Sequence, residues 1–239
     1  MCGRFTRSSP PQAIAEEFGV RIETVAPAEP RFNVCPSEQV LVVARGATSA
    51  GVGTPAAGVM RWGLVPWFAR DPKGGPRAIN ARAETIATNR TFRDAFARRR
   101  CLVVADGFYE WRRDGRGRQP WFIRLRSRRP FGFAGVWERW RAAEGAPLIT
   151  CAIVTCEANG VVAPIHDRMP VIVPLEARAT WIARGASPAD LGALLRPYPE
   201  DAMEAYPVSK LVNAARTDGP GCIRPLSPSA AGGAMQVRR

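Results

Sequence analysis

What most narrows the folds open to this chain is how its apolar residues are parcelled. They come in short runs, each stopped by glycine, proline or a polar turn: 39–45 (QVLVVAR), 59–65 (VMRWGLV), 101–105, 108–112, 120–125, 131–137, 148–155 and 169–173. Short runs rich in β-branched and aromatic residues read as strands. The sequence DGRGR at 114–118 is a turn that joins two of them as a hairpin. Helical patterns are confined to 10–18, 91–99, 175–184 and 188–195. Many closely spaced strands with a few peripheral helices imply an α+β fold around a mixed, barrel-like sheet. There is no internal repeat. Residues 46–58, all Gly, Ala, Ser, Thr, Pro and Val, read as a flexible surface loop. The expected organisation is one compact domain over 1–226 and a flexible tail over 227–239.

Composition limits the function classes. The 239 residues suffice for a full core, and 46% hydrophobic residues with seven Trp exclude a disordered chain. A net charge of +13 points to a polyanionic partner such as nucleic acid. All but Lys73 and Lys210 of the 34 basic residues are arginine. The preference for arginine over lysine is not by itself read as phosphate recognition. No apolar run is long enough to span a membrane and no signal-peptide core opens the chain, which implies a cytoplasmic protein without a membrane partner. Six cysteines form no CxxC pair and there is a single histidine, so neither a metal site nor a cofactor is expected. Cys101 and Cys151, inside apolar runs, read as small buried hydrophobes.

Few segments carry chemistry. Met1 is followed by the small residue Cys2, so its removal would leave a free α-amine beside a thiol, a 1,2-aminothiol able to trap an aldehyde as a stable ring; taken alone, a second-position cysteine reads first as accident. His166 sits in a polar break beside Asp167 and Arg168, where it fits either a structural role or a general acid or base. Glu110 lies between Tyr109 and Trp111; if desolvated its pKa would rise toward a catalytic range, and if solvated it is an ordinary strand glutamate. Asn80 and Arg82 share one side of an extended segment, suited to orienting a reacting group and a phosphate, or to a cap and a surface charge. Trp67 and Phe68, after Pro66, are core residues or a stacking platform for an unpaired base.

The ordered set MCGRF (1–5), RFNVCP (31–36), RWGLVPWF (61–68), INARAET (79–85), DGFYEW (106–111), IHDRMP (165–170) and VSKLVN (208–213) resembles the SRAP family, the SOS response-associated peptidases that process abasic sites. The resemblance implies a compact α+β domain with a barrel-like sheet and a basic channel for single-stranded DNA containing abasic sites. It implies that mature Cys2 closes a thiazolidine on the abasic aldehyde, giving a stable DNA–protein crosslink in the DNA damage response. Asn80, Glu110 and His166 match the family's catalytic polar set, Arg4, Arg82, Arg90 and Arg168 its DNA-contacting arginines, and Trp67 with Phe68 its aromatic wedge. It further implies a nucleoid-associated monomer, with the replication machinery as a candidate partner. Two positions depart from the family pattern: Cys35 replaces a small residue, and Phe68 stands where Trp is common.

Elementary chemistry supports the same mechanism. Imine formation needs a neutral amine; an α-amine of pKa about 7.7–8 is roughly one-tenth neutral at pH 7, a lysine of pKa about 10.4 only about one part in 2,500. His166 can assist opening of the sugar ring and Glu110 can move protons during imine formation, after which thiol addition is intramolecular. Two rivals remain at this stage. One is an N-terminal-nucleophile hydrolase like the glutamine amidotransferases, which also begin Met-Cys-Gly; the other is a non-catalytic basic nucleic-acid-binding protein. With no Ser-His-Asp arrangement, a peptidase or hydrolase label is expected to reflect self-removal of Met1 rather than general proteolysis.

Overall fold

The computed structural model describes residues 2–25, 29–45, 54–71, 78–115, 117–141 and 146–227. The strands among them are β1 (Phe5–Arg7), β2 (Arg31–Val34), β3 (Gln39–Arg45), β4 (Pro55–Trp62), β5 (Asn80–Arg82), β6 (Arg100–Ala105), β7 (Gly107–Asp114), β8 (Gly117–Leu125), β9 (Phe131–Trp140), β10 (Leu148–Glu157), β11 (Arg168–Pro170), β12 (Ile172–Val173) and β13 (Met203–Pro207). The helices are α1 (Pro11–Phe18), α2 (Ile22–Val25), α3 (Arg93–Arg98), α4 (Arg178–Ile182) and α5 (Pro188–Ala193), with four short 3-10 turns. Among these residues no helix is long and apolar enough to cross a membrane.

Five strands close a barrel in the order β4–β3–β6–β9–β10, with β10 returning to β4. The return is parallel, Thr150 opposite Arg61, whereas the other four pairings are antiparallel. β6 is buried along its whole length, which explains why RCLVVA reads as a continuous apolar run and not as an alternation. Cys101 shows what its small side chain is for: a Cβ on Gly135, directly opposite, would come within 2.8 Å of the Cys101 sulfur.

The second sheet runs β13–β8–β7–β1–β2. One face packs on the barrel through edge-to-face rings: Phe5 with Trp62 (5.2 Å), Phe5 with Phe133 (5.8 Å) and Phe108 with Phe133 (6.0 Å). The other face holds a smaller core of Tyr109, Phe122, Val208, Val212 and Cys222, supplied largely by the C-terminal segment. The expected α+β, barrel-like architecture is therefore what the chain adopts.

The structure corrects several boundaries. β4 begins at Pro55, not 59, because Pro55 to Gly58 pair with Arg45 to Val42 of β3; the ladder overrides the low strand propensity of small residues. The remainder of the predicted loop, 46–53, lies outside the described residues, as does Arg116 of the 114–118 turn. β4 stops at Trp62 because Gly63 has φ 127°, a left-handed value. The single run 169–173 is two strands on different partners, β11 on β10 and β12 on β9. The helix expected over 175–184 is a 3-10 turn leading into α4. Pro225 still bridges Val208, and the Leu226 amide donates to Pro207, while residues 228–239 lie outside the described residues.

Candidate active site

Three strand pairings bring the chemistry-bearing residues of distant segments to one place. β1 runs antiparallel to β7 with Phe5 opposite Phe108, and the ladder continues as the Tyr109 amide donates to the Arg4 carbonyl at 3.0 Å, which carries the chain start toward Glu110. β5 runs parallel to β10 with Asn80 beside Ile153. β11 runs antiparallel to the end of β10, so His166 arrives just before Arg168 is paired with Glu157. Cys2, Asn80, Glu110 and His166 thus share the seam between the two sheets.

Asn80 is anchored to the segment that bears Cys2: its Nδ2 donates to the Cys2 carbonyl at 2.9 Å, and its buried Oδ1 meets no donor among the described residues. Cys2 is fully buried, with its sulfur 3.9 Å from the Arg4 carbonyl. Burial, and then the nearby Glu110 charge, push its thiol far above the ordinary range, so the sulfur is held protonated.

Glu110 realises the desolvation that its aromatic flanks suggested. It is 2% exposed, and burial, aided by the Asp167 charge, pushes its carboxyl up to about 7. His166 Nε2 lies 4.0 Å from its Oε2. The ring's other nitrogen has two neighbours with opposite demands. The Arg168 amide donates to Nδ1 at 3.0 Å, and the Asp167 carboxylate stands 2.9 Å from the same atom. A backbone amide can only donate, Asp167 is well exposed, and burial holds the imidazole's protonation down. The ring is therefore neutral near pH 7, with Nδ1 accepting and the Nε2 proton directed at Glu110.

The arginines divide. Arg4 turns inward, donating to Asn33 Oδ1 at 2.9 Å and to the Val212 carbonyl at 2.7 Å. Arg82 is exposed on β5, two residues past Asn80. Arg168 grips both oxygens of Glu84 (2.6 and 2.9 Å) and the Thr155 carbonyl (2.7 Å); this guanidinium holds the Glu84 carboxyl below its usual range. Trp67 is 59% exposed and packs edge-to-face on Phe68 at 5.7 Å, while the Arg90 guanidinium lies 4.5 Å above the Phe68 ring. Cys35 is buried, its sulfur 3.3 Å from the Asn33 carbonyl, and burial raises its thiol. Among the described residues no group of His, Cys, Asp and Glu is arranged to hold a metal.

Sequence reasoning missed three contributors. Glu84, inside INARAET, is the partner of Arg168. Asn33 is fully buried and its Nδ2 collects the carbonyls of Val212 (3.2 Å), Ala214 (3.1 Å) and Thr217 (2.8 Å), seating the C-terminal segment under β1 and β2. Asp106 receives the Ser9 amide at 2.9 Å and fixes the exit from β1. A buried amide in an otherwise apolar strand is the one signal that could have revealed Asn33.

Comparison with known proteins places this geometry. Among solved structures, a Bacteroides thetaiotaomicron protein shares the fold with TM-score 0.83 at 24% identity, covering 95% of this chain and all of that one. A Bordetella bronchiseptica protein gives TM-score 0.73 at 26% identity, covering 87% of this chain and all of that one. The abasic site processing protein YoqW of Bacillus subtilis (strain 168) is 41% identical over 226 residues, 93% of this chain and 99% of its own length. The abasic site processing protein YedK of Escherichia coli (strain K12) is 29% identical, covering 95% of this chain and all of its own. The family model described as SOS response associated peptidase (SRAP) matches residues 1–215. Both sheets, every strand and all four residues at their seam fall within that span, and the chain belongs to the SRAP family.

Proposed function

We propose that the protein detects and shields abasic sites in single-stranded DNA by capturing their aldehyde covalently on Cys2. The observation that carries the reading is the seam itself: an aminothiol residue fixed by Asn80 beside a carboxyl at about 7 and a neutral imidazole. Relatives that span nearly the whole chain are named for abasic-site processing.

The steps balance with the groups present. Removal of Met1 frees the Cys2 amine. Ionised Glu110 takes the proton of the sugar's anomeric hydroxyl and returns it to the ring oxygen as that C–O bond breaks and the aldehyde forms, with the Nε2–H of neutral His166 donating a hydrogen bond to the opening sugar. The amine adds to the carbonyl carbon, one amine proton moves to the oxygen, and protonated Glu110 gives its proton to the hydroxyl that leaves as water, forming the iminium. The ionised Glu110 then takes the thiol proton and sulfur bonds to the iminium carbon, which leaves the ring nitrogen as a neutral N–H and Glu110 protonated again. Aldehyde and aminothiol become thiazolidine and water. A carboxyl titrating near 7 suits both halves, being present in either form at neutral pH. Arg82, Arg90 and Arg168 would hold the strand, with exposed Trp67, backed by half-buried Phe68, stacking on its bases, while Arg4, turned inward, would hold the C-terminal segment.

The test is intact mass of the purified protein before and after incubation with an abasic single strand. Loss of Met1 followed by a mass gain of DNA minus one water, surviving heat, is expected; a retained methionine or no gain overturns the reading. Cys2→Ala keeps a slow imine but forms no hydrolysis-resistant product. Ammonia release from glutamine would instead favour an amidotransferase-like hydrolase.

A further inference from the structure

A cavity of about 560 Å³ opens beside the seam, between the β8–β13 ladder and the turn that leads to His166. Its position follows from register. Trp121 of β8 lies directly opposite Glu110 of β7, so the two side chains leave the sheet on the same face. Arg112, two residues beyond Glu110, shares that face, and its guanidinium lies 4.7 Å above the Trp121 ring. Pro164 and Ile165, immediately before His166, form the facing wall, and Met203 of β13 lines the base. The cavity and the acid–base pair are therefore neighbours across one strand and one turn.

Three features describe what it would accept. Its volume is that of a site for a small organic group. The Trp121 indole Nε1 is buried and meets no acceptor among the described residues. A buried indole N–H ordinarily has one, so a bound group that brings an acceptor would satisfy this donor. Arg112 and Arg126 line the rim. Stacking on Trp121 uses the face of the Arg112 guanidinium and leaves its N–H edges for an anion. The one carboxylate in the lining, Glu204, is already paired with Arg124 at 2.7 Å. An apolar wall, an N–H in need of an acceptor and two guanidiniums match a base carrying ring carbonyls joined to a phosphate.

We propose that this cavity is a binding site for an unpaired nucleotide of the DNA strand next to the captured position, with its base between Trp121 and the Pro164–Ile165 wall and its phosphate on Arg112 and Arg126. The assignment rests on the reading above that single-stranded DNA is the ligand. It makes Trp121 and Arg112 determinants of strand placement with no part in the proton transfers.

The experiment measures equilibrium binding of fluorescently labelled, intact oligothymidylates by anisotropy over a salt series, for wild type, Trp121→Phe and Arg112→Gln, alongside the covalent assay with an abasic strand. Arg112→Gln is expected to lower the slope of log K against log salt by about 0.7, the value for one phosphate contact on a single strand. Trp121→Phe keeps an aromatic ring but loses the N–H and part of the stacking surface; it is expected to weaken binding about threefold to tenfold with an unchanged slope. Its melting temperature is expected to fall as well, because Trp121 packs against the core, so affinity at a temperature where the variant is folded is the deciding readout. A merely structural Trp121 would give a lower melting temperature with wild-type affinity. Wild-type affinity and slope in both variants, from a wild type that does crosslink, overturn this site and leave the capture reading intact. Weakened variants of a wild type that binds without crosslinking sustain the site and overturn the capture reading. A wild type that binds no single strand overturns both.

Discussion

Two buried glutamates in different regions are handled in opposite ways. Glu17, in α1 against the barrel, has a side chain 6% exposed and faces two guanidiniums, Arg178 at 2.9 Å and Arg129 at 2.7 Å, with Arg178 also stacked on Phe18 at 4.5 Å. Glu110, on β7 at the seam, has a side chain 3% exposed and faces an imidazole at 4.0 Å, itself disfavoured from carrying charge. Burial penalises an ionised carboxylate equally in both places. At Glu17 matched cations offset the penalty and the result is a fixed joint between α1 and α4. At Glu110 burial outweighs the interactions that favour ionisation, and the proton becomes exchangeable near pH 7. The first arrangement fixes a charge in place and the second leaves a proton free to move at neutral pH.

The comparison can be broken most directly at Glu110. Glu110→Gln should slow crosslink formation by about 10²–10⁴, the usual contribution of a positioned general acid or base, measured as covalent product against time; an unchanged rate would reduce Glu110 to a packing residue. The counterpart is Arg178→Met, which leaves Glu17 buried with one cation fewer. It should cost about 3–5 kcal/mol in urea unfolding while sparing the crosslinking rate at temperatures where the protein is folded.

Proton linkage sharpens the contrast. A carboxyl whose folded-state pKa is raised from 4.5 to about 7 contributes stability that is complete below pH 4.5 and is lost as pH rises through 7. Glu110→Gln removes that dependence. Relative to wild type it should gain about 3 kcal/mol by pH 8 and show no such gain near pH 4, in thermal or urea unfolding. The smallest effect belongs to the exposed partner of the structural pair: Arg129, 65% exposed, should cost less than about 1 kcal/mol as Arg129→Gln, and a larger loss would show that both cations are needed.

Much of the barrel was readable because its strands are buried on both sides and carry unbroken apolar runs, as β6 and β9 do. β1, β2, β5 and β13 escaped for the converse reason. They are short, they carry polar residues such as Asn33 and Arg82, and they exist because a longer partner pairs with them. The site divides likewise. Aromatic flanks made a desolvated Glu110 one of two open readings, and burial on β7 decides for it. Nothing local announced that Arg4 would turn toward Val212 or that Glu84 would hold Arg168, because both depend on contacts between segments 208 and 84 residues apart.

The first of those spans has a consequence for how the molecule is born. Arg4 and its support Asn33 are seated by the carbonyls of Val212, Ala214 and Thr217. During translation, at about 5–20 residues per second, these partners emerge on the order of 10–40 s after Arg4 itself. Through that interval the segment bearing Cys2 lacks its clasp. The Cys2 segment acquires this support only after Thr217 has emerged, so a product truncated before Val212 would carry Cys2 without it.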